Sequence, residues 1–119
     1  MTVKECYENI GNYEDAVQRL MKDALFKRFL LKFIDDPSYS RLKAALAQED
    51  YPEAFISAHT LKGIAANLSL TEVFEYSNQI TEILRDKQPH DVSALMSQLD
   101  AAYKNATENI RGLQDENKQ

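Results

Sequence analysis

The stretch Asp50-Tyr51-Pro52-Glu53-Ala54-Phe55-Ile56-Ser57-Ala58-His59-Thr60-Leu61-Lys62-Gly63-Ile64-Ala65-Ala66-Asn67-Leu68 decides how this chain folds. It opens as helices open, with an aspartate able to receive free backbone N–H groups and a proline tolerated in the first turn. Ala54, Ala58, Leu61, Ala65 and Leu68 then recur at intervals of three and four, the period of one helical face. Two residues inside this pattern do nothing for a helix. Histidine is a middling helix former, and a mid-helix glycine costs roughly 1 kcal/mol relative to alanine. His59 and Gly63 are four residues apart and stack one turn above the other, with Lys62 reaching the same patch. A nucleophilic imidazole, a cation and a missing side chain make a place where an anion could be received.

Working outward, the rest of the chain reads the same way. The whole carries 3 Gly and 3 Pro, and no alternating strand pattern interrupts the helical periodicity. Thr2 to Glu5 has the form of a capping box and opens a short first helix that Gly11 ends. Asn12 starts a second helix, expected from Tyr13 to Ile34. Asp36 and Pro37 cap and open a third, about Ser38 to Gln48. The fourth runs from Asp50 to about Leu68. Ser69-Leu70-Thr71-Glu72 caps a fifth, ending near Lys87. Pro89 precedes a last helix from about Asp91 to Leu113, with a polar tail from Gln114 expected to fray. The last helix has the cleanest stripe: Val92, Leu95, Met96, Leu99, Ala102, Ala106, Ile110 and Leu113. The fifth shows Val73, Ser77, Ile80 and Leu84. Short connections between apolar stripes favour antiparallel neighbours. The expected fold is all-α: an antiparallel up-and-down four-helix bundle with an accessory N-terminal helix, one domain over residues 1–119.

At 119 residues the chain can bury one ordinary core, and 44% hydrophobic with 28% charged residues is a globular composition. A net charge of −5, with scattered basic residues, argues against general affinity for nucleic acid or an anionic membrane. The lone Cys6 suits a reducing compartment and lies on the apolar stripe Val3, Cys6, Tyr7, Ile10, which marks it as core. No apolar run reaches the roughly 20 residues of a membrane span, and no signal-peptide pattern opens the chain. A cytoplasmic, monomeric protein is expected, and the initial Met favours a freestanding one.

If Ala58 and Leu61 face inward, His59 is rotated by about 100° toward the outer face. Phe55, His59, Lys62, Gly63 and Ala66 then form a second stripe, with Ile56 beside it. An aromatic ring, an isoleucine and an alanine flanking a reactive group suit a docking surface. Phe55 could equally turn into the core, and Gly63 could serve close helix packing. Neutral imidazole can form a covalent phosphoryl intermediate, and Lys62 would offset the charge on its oxygens. No glycine-rich nucleotide cradle is present, so the chain should not bind ATP. No second acid–base group stands at a spacing that would complete an autonomous site. His90, beside Pro89, reads as a loop residue without chemistry. No Glu-x-x-His pair or Cys/His cluster suggests a metal.

Ala58-His59-Thr60-Leu61-Lys62-Gly63, followed by Ala65-Ala66-Asn67-Leu68, resembles the signature of histidine-containing phosphotransfer (HPt) domains. The likeness extends over the order of helices on both sides. The resemblance implies a phospho-accepting His59, with Lys62 and Gly63 matching the nearby lysine and small neighbour. It implies a phosphocarrier without kinase activity or cofactor of its own. The phosphoryl group would pass between His59 and an aspartate of a response-regulator receiver domain, which brings the magnesium ion; a hybrid histidine kinase is a further expected partner. The chain departs from the family in having Leu68-Ser69 where Leu-Gly is common, Ile64 where a small residue is common, and Ile80-Thr81 where a Leu-Glu pair is common. A helical interaction module that binds a receiver or kinase without carrying phosphate would use the same surface.

Overall fold

The computed structural model describes residues 2–15 and 23–116, and the side chains of residues 2–15 and 27–113. Six helices lie within them: α1 (Val3–Ile10), α2 (Asp23–Ile34), α3 (Ser38–Ala47), α4 (Tyr51–Asn67), α5 (Thr71–Ile83) and α6 (Ser93–Glu116). Among the described residues there is no strand. Residues 13–15 are helical, with the Asn12 carboxamide oxygen accepting from the Asp15 N–H at 3.0 Å. The middle of the expected second helix, residues 16–22, lies outside the described residues.

Local chemistry sets the helix ends. Thr2 Oγ1 accepts from the Glu5 N–H at 3.1 Å and starts α1. Asp50 Oδ1 accepts from the Glu53 N–H at 3.2 Å and starts α4, with Pro52 in the first turn. Asp36 acts one position earlier than a standard cap: its Oδ1 accepts from the Ser38 N–H at 2.8 Å, and Pro37 itself occupies the cap position of α3. The α4–α5 junction differs from the expectation. Ser69 does not cap α5. It sits in the left-handed region at φ 55° and closes α4, with Leu70 N–H bonded to Ala65 O at 2.9 Å and Ser69 N–H to Ala66 O at 3.2 Å. This is a Schellman ending, in which the left-handed residue turns the chain and satisfies the last carbonyls. Helix α5 also stops at Ile83 rather than near Lys87, and α6 continues to Glu116, past the expected end at Leu113.

The helices pair in antiparallel fashion. Lys62 faces Glu82 and Phe55 faces Arg85, so α4 and α5 run in opposite directions. Tyr39 stacks on Tyr103, with ring centroids 3.9 Å apart, and Lys43 pairs with Asp100 at 3.8 Å, which orients α3 against α6. Helix α4 also packs along α3, and α5 along α6, closing the bundle. Ala54, Ala58, Leu61, Ala65 and Leu68 are all buried, as their period requires, and three of these five side chains are alanines, short enough to let neighbouring helices approach closely. The stripe of α6 is buried at Val92, Leu99, Ala102, Ala106, Ile110 and Leu113, with Leu95 and Met96 half-buried. Ser77 and Thr81 lie in the core of α5, and their hydroxyls donate to the carbonyls of Val73 at 2.6 Å and Ser77 at 2.7 Å. The polar cost of burying them is thereby met within the helix.

The accessory helix α1 packs on α6, where Asn105 Nδ2 donates to Asn9 O at 3.1 Å. Its buried stripe is Val3, Cys6, Tyr7 and Ile10, as the sequence pattern requires. Gly11 then presses its backbone on the α4–α5 junction: Asn12 N–H donates to Ser69 O at 3.1 Å, and a Cβ on Gly11 would overlap that same carbonyl. Only glycine fits this contact.

Candidate functional site

His59 lies near the middle of α4 and is exposed to solvent. The helix period puts Ala58 and Leu61 in the core and carries the imidazole outward between them. No hydrogen bond restrains the ring among the described residues; its nearest ring neighbour is Phe55, with centroids 6.0 Å apart. Gly63, one turn on, is also exposed, and a Cβ built there would meet nothing within 4 Å. Gly63 is therefore no helix-packing point. It leaves a bare patch of backbone open to solvent beside the imidazole.

Phe55 turns toward the surface of the α4–α5 seam and is half-buried. The guanidinium of Arg85 stands 5.5 Å from its ring centroid and the ammonium of Lys87 stands 5.8 Å away. Both are within the range of cation–π attraction. Lys62 leans toward the same seam, its Nζ 4.0 Å from Glu82 Oε1. Glu82 also receives the Arg85 fork, Nη2 to Oε1 at 2.7 Å and Nε to Oε2 at 3.1 Å. The hydrogen-bonded Arg85 holds the Glu82 carboxyl below the usual carboxylate range, with smaller contributions from the charges of Lys62 and His59. Three cations thus gather beside the imidazole of a chain whose net charge is −5.

Of the expected docking residues, Ile56 is 52% exposed on the outer face of α4, and with Phe55 it flanks His59. Ala66 is half-buried and sits further along, in a recess it shares with Asn12, Asp15 and Phe74. On the other flank of α4 a groove of about 380 Å³ runs between α2 and α4, lined by Phe29, Lys32, Phe33, Asp36, Ile64, Asn67 and Leu68. Ile64, one of the departures from the family pattern, forms part of its wall. A larger hollow, about 640 Å³, lies elsewhere, between the end of α3 and the α5–α6 loop. His90 borders it, exposed and bonded through Nε2 to the Asp86 carboxylate at 2.9 Å. His59 lines neither hollow and stands exposed on the outer face of α4.

Glu82, Arg85 and Lys87 are the members of this site that local sequence reasoning passes over. A signal existed. In an antiparallel hairpin turning at residue 70, positions 55 and 85 lie equally far from the turn, so the end of α5 must return to the level of Phe55.

A model of the Hpt domain matches residues 37–109, more than half of the chain. The chain belongs to the Hpt domain family. Hpt domains take part in phosphotransfer in two-component signalling, as phosphocarriers rather than kinases, and interact there with receiver domains and kinases. The match spans α3, α4, α5 and most of α6; α1 and α2 precede it. No curated protein and no solved structure matches the chain. Among the described residues no helix is long and apolar enough to cross a membrane, and no three His, Cys, Asp or Glu side chains converge as a metal site.

Proposed function

We propose that this Hpt domain protein is a phosphorelay intermediate in which His59 accepts a phosphoryl group from a receiver aspartate and passes it to another, or back. The observation that carries the reading is the solvent-exposed imidazole of His59 on the outer face of α4, with open backbone at Gly63 and cations at one side. Such a group is useless as an enclosed active site and well placed for a visiting one. An imidazole nitrogen attacks the phosphorus of the aspartyl phosphate. The N–P bond forms, the P–O bond to the aspartate breaks, and the carboxylate leaves. The proton on the other ring nitrogen can then pass to solvent. Lys62 offsets the charge on the phosphoryl oxygens, Gly63 admits the partner's backbone, and Phe55, Ile56 and Ala66 provide apolar contact. The magnesium ion and the remaining catalytic groups belong to the receiver, and the chain has no kinase activity of its own.

The test is transfer from a panel of phosphorylated receiver domains with magnesium, following acid-labile label. His59→Gln is expected to abolish labelling while circular dichroism stays unchanged, since the side chain is exposed and makes no hydrogen bond among the described residues. Normal labelling of that variant would place the acceptor elsewhere. A wild-type chain that binds receivers but never holds label would instead be a docking module without phosphotransfer.

A further inference from the structure

Two of the three cations beside His59, Lys62 and Arg85, are already occupied. Glu82 Oε1 lies 2.7 Å from Arg85 Nη2 and 4.0 Å from Lys62 Nζ, so one carboxylate engages both. Its second oxygen completes the Arg85 fork at 3.1 Å. A carboxylate and a phosphoryl group present similar pairs of oxygens to a guanidinium, and both draw the same donors. Phe55 links the two settings, since its ring is 6.0 Å from the imidazole and 5.5 Å from the Arg85 guanidinium. The side chains of Arg85 and Glu82 are each about half exposed, at 53% and 52%, so the fork can exchange partners without unfolding anything.

The geometry points to Glu82 as an internal competitor for the phosphoryl group, a positioning residue that sets how strongly phosphate is held on His59. This deepens the phosphorelay reading and rests on it. With His59 unmodified, Glu82 keeps Arg85 and Lys62 on the α5 side of the seam. Once His59 carries a phosphoryl group, its dianion must draw those cations away from Glu82 and also tolerate the Glu82 charge. Both effects raise the free energy of the phosphorylated state. The phosphate is therefore poised to leave for a receiver. Lys87, which sits over the same Phe55 ring with no carboxylate partner among the described residues, is the cation that remains free to assist.

The experiment uses phosphoramidate, a small donor that phosphorylates imidazole directly. The imidazole nitrogen attacks phosphorus, the donor's P–N bond breaks, and ammonia leaves. Wild type, Glu82→Gln and the charge-matched control Glu75→Gln are labelled. Glu75 lies on the same helix, and among the described residues its carboxylate accepts only from Gln79, at 3.4 Å. The phosphoryl ionisation is followed by ³¹P NMR against pH, and the distribution of label is then measured against a competent receiver. In Glu82→Gln the phosphoryl midpoint is expected about half a pH unit lower, because freed cations favour the dianion. The equilibrium should shift about two- to fivefold toward phospho-His59, the scale of exposed charge pairs, and the shift should shrink in about 1 M salt. Glu75→Gln should match wild type in both. A labelled wild type with Glu82→Gln indistinguishable from it overturns the competitor role alone. A wild type whose His59 takes no label overturns the relay reading and this inference together.

Discussion

At the scale of single residues, the informative position beside His59 is one with no side chain. Gly63 occupies the middle of α4, where glycine weakens a helix, and nothing in the fold needs the space it leaves. Gly63→Ala should accordingly stabilise the protein by about 0.5–1 kcal/mol, read as a higher urea midpoint at unchanged slope. Gly63→Leu should also fold, since its side chain would project into solvent, yet it should slow phosphoryl transfer from a receiver at least about tenfold by blocking approach to His59. Transfer at the wild-type rate in the leucine variant removes the close-approach role. His59, Lys62 and Gly63 were legible in sequence because their relation is local: three residues within two turns of one helix share a face by arithmetic. Glu82 and Arg85 were not legible in that way. Their place beside His59 depends on the register of α5 against α4, which no periodicity within either helix reveals.

At the scale of the element, the α4–α5 junction shows where helix-start signals mislead. Ser69 followed three residues later by Glu72 has the outward form of a cap, but its backbone closes α4 in the left-handed region instead, at φ 55°. That conformation costs a non-glycine residue about 1 kcal/mol or more. The serine hydroxyl recovers part of this by donating to Asp15 Oδ2, and its carbonyl receives Asn12. A glycine, as is common in the family at this place, would adopt the turn without strain but could not make the side-chain bond. Two variants separate the terms. Ser69→Ala keeps the strain and loses the bond, so it should be about 1 kcal/mol less stable than wild type by urea denaturation. Ser69→Gly loses the bond but also the strain, so it should exceed the alanine variant by about 1 kcal/mol. An alanine variant as stable as the glycine one would mean that the left-handed turn carries no cost here. Capping at Thr2 and Asp50 and the buried stripes of α4 and α6 were readable because each rests on neighbouring residues. The junction was not, because two helix ends with three residues between them compete for the same serine, and the contact from Gly11 and Asn12, just after α1, lies against that turn.

At the scale of the whole molecule, α1 lies outside the matched family region yet carries two of the most completely buried ionisable side chains. Cys6 and Tyr7 are both 0% exposed, packed where α1 meets α6. Burial pushes the Cys6 thiol up from 9.0 to about 11, and it raises the Tyr7 hydroxyl as well, with the Cys6 charge adding to the shift. A folded-state value above the unfolded one fixes the sign. Below pH 9 both states keep the Cys6 proton and its contribution is fully present. As the pH rises toward 11 the unfolded chain releases that proton first, and stability drains away. The loss from Cys6 should reach about 2 kcal/mol near pH 11, with Tyr7 adding to it above pH 10. Urea denaturation of wild type and Cys6→Ala between pH 8 and 11 isolates the thiol, since other alkaline titrations are common to both. The alanine variant starts lower for lost packing but should decline less steeply, so the two curves converge. Parallel curves would show that the thiol reaches water in the folded protein. Alkylation of Cys6 distinguishes how it does so: if α1 is bound into the core as its Gly11 contact with Ser69 implies, modification should keep pace with global unfolding, whereas a helix that peels away alone would be modified while the α3–α6 bundle and His59 remained in place.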